Sequence, residues 1–466
     1  MAADASDASD ASTFAVPAPA PPQPRPQPRG IYLLFGVEMW ERFSFYGMRA
    51  FLALFAADAT RGGLGWSQAS ASRLMSFYAL ACYSLPVLGG WLADRFLGTH
   101  RTMVIGACII AAGHFTLALP TVPTFFLGLA LVAIGTGFFK TNASTMVGQL
   151  YEPGDKRRDA GFTIFYMGTN VGAFLGQTIC DYFAERPQWG WHWGFGWAGV
   201  GMLAGLILYL SLRRKYLAGI GDVPNRQIAA ATERPPAEPL TSEERDRLVA
   251  LLVLFAFTIV FWMAFEQAAT SLNFFAQDRT DRMLGSFRIP AGWFQSVNPV
   301  VLVMAAPFFA ALWVSLARRR REPSTPTKMA IALVLVAVGY VFMVLAARRA
   351  DHGILVSPWW LVAAYSFHTF GELCLSPIGL SFVTKLAPTK MVALLMGTWF
   401  FATALGEFLA GQFAALADQI ARGEVFHLLG GQADFFLVLV VFPIAVSVPL
   451  FALTPWLRRL MHGRDT

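Results

Sequence analysis

The chain has 466 residues, 56% of them hydrophobic and 14% charged, with a mean hydropathy of +0.51. Soluble domains carry about 25% charged residues, so this composition excludes an ordinary soluble domain and points to a chain that crosses a bilayer repeatedly. The net charge of +7 raises nucleic acid as a partner, but the basic residues gather in short loops between apolar runs. That is the positive-inside pattern, not a phosphate-binding face, and no nucleic-acid partner is expected.

Residues 1–29 open with a repeated ASD tract and continue as a Pro-rich run, PAPAPPQPRPQPRG. Such a segment is expected to be disordered. The acidic start, without an apolar h-region, is not expected to be a signal peptide. Twelve apolar runs follow, near 31–57, 70–93, 102–119, 122–148, 160–184, 193–212, 248–276, 294–317, 328–347, 357–386, 391–417 and 432–457. A hydrophilic linker, 213–247, separates an N-terminal bundle of six spans (30–212) from a C-terminal bundle of six (248–457), and 458–466 form a tail.

The first run is long enough to span a membrane as a helix, yet it carries Glu38, Glu41, Arg42 and Arg49. A charge at the bilayer centre costs roughly 2.5–3.5 kcal/mol on insertion scales, so these side chains must face protein or water. Glu38, Glu41 and Arg42 stand at i, i+3 and i+4, with Tyr46 four residues on and Arg49 three beyond that, which places all five on one helical stripe. After the second span, GGWLADRFLGTHR is similar to the G-x-x-x-D-R-x-G-R-R loop of the major facilitator superfamily. Asp94 and Arg95 there read as a conformational latch or as an ordinary charged turn. Further intramembrane charges are Lys140 in span 4, Glu266 in span 7, Glu372 in span 10 and Glu407 in span 11. One such charge alone is consistent with a structural ion pair, but inside a membrane it marks a pathway by default.

The distribution of these charges is asymmetric. The intramembrane cations all lie in the N-terminal half, and the C-terminal half contributes only carboxylates. A cavity between the halves would be positive on one wall and negative on the other, a field that suits a zwitterion. With the N-terminus cytoplasmic, 24 Lys and Arg fall on the cytoplasmic side, eight on the other and four within spans. This predicts both termini inside. Two six-span halves with a cytoplasmic linker predict an all-α membrane protein of the major facilitator fold, its binding site near the midplane. Cys82, Cys108, Cys180 and Cys374 lie in apolar runs without CxxC spacing and read as small core residues.

The motifs identify a family. GVEMWERFSFYGMRA resembles the E-x-x-E-R-F-x-Y-Y-G motif of the proton-dependent oligopeptide transporters. GTGFFKTNASTMVGQLYEPGDKRRDAGFTIFYMGTNVGAF resembles their signature around helices 4 and 5. EQAATS, WFQSVNP and GELCLSPIGLSFVTKLAP resemble stretches on helices 7, 8 and 10. The resemblance implies that Glu38, Glu41, Arg42 and Glu266 serve proton coupling. It implies that Arg42, Arg49 and Lys140 surround a peptide carboxylate, that Glu372, Asn170 and Asn298 hold the amino terminus, and that Tyr46, Tyr83 and Trp399 line the cavity. Glu266 is implied to pair across the halves with Arg49 or Lys140. Three departures stand out: Phe45 replaces the motif's first Tyr, Thr141 replaces the Pro after the Lys, and the linker is too short for the two extra helices of many bacterial members.

The expectation is a proton-coupled symporter of di- and tripeptides in a bacterial inner membrane, monomeric, with no cofactor beyond protons. Other cargo on the same fold (an amino acid, nitrate or a peptide-like drug) and a non-transporting sensor remain alternatives. A membrane enzyme is disfavoured, because no HExxH, GxSxG, CxxC or His cluster appears, and His114 and His368 read as packed.

Overall fold

A computed structural model describes residues 26–152, 154–224, 239–388 and 391–463. Most of the expected disordered tail and the middle of the linker lie outside the described residues. The tail's last residues are tied down: Arg157 Nη1 donates to Pro26 O at 2.6 Å and Tyr151 donates to Gln27 Oε1 at 2.8 Å.

Among the described residues the apolar runs form twelve long helices: α1 (Gly30–Ala57), α2 (Gln68–Leu92), α3 (Gly98–Leu117), α4 (Val122–Gln149), α5 (Arg158–Glu185), α6 (Trp191–Tyr216), α7 (Ser242–Phe265), α8 (Val297–Arg318), α9 (Thr325–Ala350), α10 (Trp359–Leu386), α11 (Val392–Ala414) and α12 (Gln432–Leu460). Eight described segments are long and apolar enough to cross a membrane. α1 is not among them, because its four charges break the apolar window. Polar caps set several starts: Ser67 accepts from Ser70 N at α2, and Thr121 accepts from Thr124 N at α4. The stretch SEERDR, read from sequence as linker, is instead the opening of α7. A capping box between Thr241 and Glu244 starts that helix before it reaches its apolar part. α7 then loosens into a 3-10 turn, Glu266–Ala269, and resumes as a short helix, Ser271–Arg279. The only described sheet is a two-residue hairpin, Met283–Leu284 against Phe287–Arg288.

In the N-terminal half α1 packs against α5 and α6, and α4 packs against α2 and α3. In the C-terminal half α9 packs against α10 and α12. Small residues permit the tight crossings. A Cβ on Gly172 would meet Met39 O at 2.1 Å, and one on Gly89 would meet Gly137 O at 2.2 Å. The halves touch mainly through α2 and α11, between α5 and the segment Ala291–Arg318, and at the end of α1 remote from the linker. There Asn273 Nδ2 and Gln295 Nε2 both donate to Ala50 O, at 2.6 and 3.1 Å, and Arg282 pairs with Glu185 at 2.7 Å. Beyond α1, Asp58 accepts from Trp191 Nε1 at 2.9 Å and from Arg61 N at 2.8 Å. Burial pushes its carboxyl up, but these hydrogen bonds prevail and hold it below its ordinary range. Cys82, Cys180 and Cys374 are buried, whereas Cys108 is exposed on α3 and is no core residue.

Candidate functional site

The charges of α1 divide into two levels. At the lower level Arg42 Nε lies 3.0 Å from Glu38 Oε1 and 2.6 Å from Glu41 Oε2, all three side chains being buried. These are close charge pairs without aligned hydrogen bonds. Thr169 on α5 donates to Glu38 at 3.3 Å, and the Arg42 guanidinium lies 5.4 Å from the centre of the Phe45 ring. Phe45, the departure noted in the sequence, is itself buried and stacks on Tyr78.

At the upper level Tyr46 and Arg49 enter a central cavity of about 260 Å³. Both halves build it. The N-terminal half supplies Tyr46, Arg49, Tyr83, Lys140 and Asn170. The C-terminal half supplies Glu266, Asn298, Glu372, Trp399 and Glu407. Arg49 Nη2 reaches across to Glu266 Oε2 at 2.5 Å and to Glu407 Oε2 at 3.2 Å. Loss of regular helix at Glu266 places that carboxylate at the C-cap of α7, turned toward α1. On the far wall Asn298 Nδ2 donates to Glu372 Oε2 at 2.7 Å and to Thr369 at 3.1 Å, which fixes the carboxylate's position.

Among the described residues Lys140 has no carboxylate within 4.0 Å, and its ammonium sits 3.8 Å from the centre of the Tyr83 ring. That cation–π contact compensates the charge only in part. Lys140 is also within Coulombic reach of Glu41 and Glu407, which links the two levels of α1 electrostatically. Asn170, also in the lining, donates to Tyr166 O at 3.1 Å, inside its own helix.

The structure therefore brings Tyr46, Arg49, Tyr83, Lys140, Asn170, Glu266, Asn298, Glu372 and Trp399 onto one cavity wall or another, and leaves Glu38, Glu41 and Arg42 behind it. Asp94 and Arg95 are exposed in a π-helical turn, Ala93–Leu97, remote from the cavity. Asp94 does not cap α3, whose N-cap is Leu97 without a side-chain hydrogen bond, and Arg95 lies over the rings of Trp91 and Phe96. Sequence reasoning passed over Tyr166, Gln177 and Tyr365 as cavity residues and treated His368 as packing. His368 is 1% exposed yet lines the cavity one helical turn before Glu372. Its i, i+4 spacing from Glu372, which sequence reasoning did not use, sets both side chains on one face of α10.

This cavity can hold a small molecule with separated charges, an anionic end toward Lys140 and a cationic end toward Glu372. The POT family model (PTR2) matches residues 100–222 and 223–428. The peptide transporter YePEPT of Yersinia enterocolitica is 37% identical over 493 residues, 92% of this chain and 94% of the relative. A di-/tripeptide transporter of Lactococcus lactis is 32% identical over 462 residues, 86% of this chain and 92% of the relative. Among solved structures, a crystal structure of a peptide transporter POT in complex with sulfate aligns with a TM-score of 0.83 at 34% identity, over 93% of this chain and 96% of that one. The twelve helices in two six-helix halves have the major facilitator fold of these transporters. With this fold, these relatives and the family model in agreement, the chain belongs to the proton-dependent oligopeptide transporter (POT) family of multi-pass membrane proteins.

Proposed function

We propose that this protein is a proton-coupled symporter that imports di- and tripeptides by alternating access. It would sit in a bacterial inner membrane with both termini in the cytoplasm, work as a monomer, catalyse no chemical reaction and use no cofactor beyond protons. The observation that carries this reading is the polarity of the cavity: an ammonium without a carboxylate partner among the described residues, Lys140, on the N-terminal wall, and a carboxylate held in place by Asn298, Glu372, on the C-terminal wall. A short peptide is a zwitterion whose charges are fixed at its two ends, so both walls are matched at once. A sugar would leave both charges uncompensated, which is costly away from water.

In this reading Lys140 and Arg49 receive the peptide carboxylate, and Arg42 adds its field from behind the wall. Glu372, Asn298 and Asn170 receive the amino terminus. Tyr46, Tyr83 and Trp399 form the sides. Glu38, Glu41, Arg42 and Glu266 carry the coupling. A carboxylate whose cation is drawn away by substrate becomes a proton acceptor, because burial disfavours its charged form. The two bundles, α1–α6 and α7–α12, rock against one another, with Asp94 and Arg95 acting at the latch. Each charge that crosses 100 mV contributes about 2.3 kcal/mol, roughly fiftyfold in concentration ratio.

The test is uptake by reconstituted liposomes. Under an inward proton gradient, labelled dialanine is expected to accumulate above its external concentration. Equilibration without accumulation would rule out symport.

A further inference from the structure

Arg49 has two partners rather than one. Its Nη2 lies 2.5 Å from Glu266 Oε2 on α7 and 3.2 Å from Glu407 Oε2 on α11, so two carboxylates from different helices converge on a single nitrogen. Glu407 is 4% exposed and lines the same cavity. The other described titratable and charged groups facing this cluster are Tyr46 on α1, Tyr78, Cys82 and Tyr83 on α2, Lys140 on α4, Tyr340 on α9, and Tyr365, His368 and Glu372 on α10. Lys140 is the only Lys or Arg among them, and among the described residues no ion pair joins it to Glu407. With its carboxylates, lysine and arginine ionised, the described lining holds Glu266, Glu372 and Glu407 against Arg49 and Lys140. One guanidinium, held on a single nitrogen by both, cannot neutralise two carboxylates.

We propose that Glu407 is a second proton acceptor at Arg49, so that the guanidinium is released only after two protons have bound, one on Glu266 and one on Glu407. A single proton is insufficient. When either carboxylate is neutral, the other still holds the cation from an adjoining element. Each proton comes from cavity water, forms an O–H bond on a carboxylate oxygen and leaves by the same bond on the opposite side of the membrane. The release of Arg49 thus counts protons, and the transport cycle carries at least two per peptide. This rests on the proton-coupled symport proposed above and assigns part of its stoichiometry.

The experiment is the limiting accumulation of labelled dialanine in liposomes at zero membrane potential. Each co-transported proton multiplies that limit about tenfold per pH unit of gradient. The unmodified protein is expected to gain at least about a hundredfold per pH unit, and Glu407→Gln to reach a limit about tenfold lower at one pH unit. Equal limits for the two proteins would overturn the proposal. A gain of only about tenfold per pH unit in the unmodified protein would overturn it without recourse to any variant. No accumulation by the unmodified protein would refute symport itself, and this inference with it, whereas accumulation with equal limits refutes the inference alone.

Discussion

Replacement of Glu372 by Gln separates charge from shape at the proposed amino-terminal subsite. Asn298 donates to Glu372 at 2.7 Å, and the amide oxygen of Gln can keep that bond. What is lost is the negative charge facing the peptide ammonium. At about 4 Å and an effective dielectric near 20 the Coulomb attraction is about 4 kcal/mol. Much of it is offset by desolvation, and a hydrogen bond to a charged group contributes about 1.5–3 kcal/mol net. Affinity for dialanine is therefore expected to fall roughly 10- to 150-fold. Calorimetric titration at fixed pH with dialanine and with N-acetyl-dialanine isolates the effect, because the acetylated peptide has no ammonium to lose. A large loss for dialanine and little change for the acetylated peptide is the expected pattern. Unchanged affinity for dialanine would refute the assignment of Glu372.

Two further predictions address coupling and packing. Glu41, fully buried and 2.6 Å from Arg42, is expected to be needed for coupling rather than for substrate exchange. Glu41→Gln should abolish gradient-driven uptake while peptide counterflow continues, and loss of neither would remove Glu41 from the proton path. Gly89→Ala forces a methyl to within 2.2 Å of the backbone oxygen of Gly137 and should destabilise the α2–α4 crossing by about 1–3 kcal/mol. Gly397→Ala on α11, where nothing lies within 4 Å, should cost nothing. Thermal unfolding in detergent compares the two.

Helical periodicity made part of the site legible. The i, i+3, i+4 spacing of Glu38, Glu41 and Arg42 set them, with Tyr46 and Arg49, on one stripe of α1, and all five are at least half-buried inside the protein. Periodicity gives direction around an axis but not depth along it relative to a cavity. Arg42, which the resemblance groups with the carboxylate-binding residues, shares that stripe yet lies behind the wall with its two glutamates. The opening of α7 was hidden for a related reason. Hydropathy marks the part of a helix that lies in lipid, whereas Thr241 and Glu244 start the helix in its polar overhang. The 3-10 turn at Glu266–Ala269 has no Pro or Gly to announce it, and its form depends on packing between segments far apart in sequence. The convergence of Glu266 and Glu407 on Arg49 joins positions 217 and 358 residues away from it. No local pattern could have specified which of the intramembrane carboxylates would meet there.

The most direct measurement is a structure of the protein with dialanine bound at neutral pH. The peptide carboxylate is expected within hydrogen-bond distance of Lys140 and its ammonium within hydrogen-bond distance of Glu372, spanning the two halves. A peptide bound in the opposite sense, or held by one half alone, would contradict the shared-cavity mechanism.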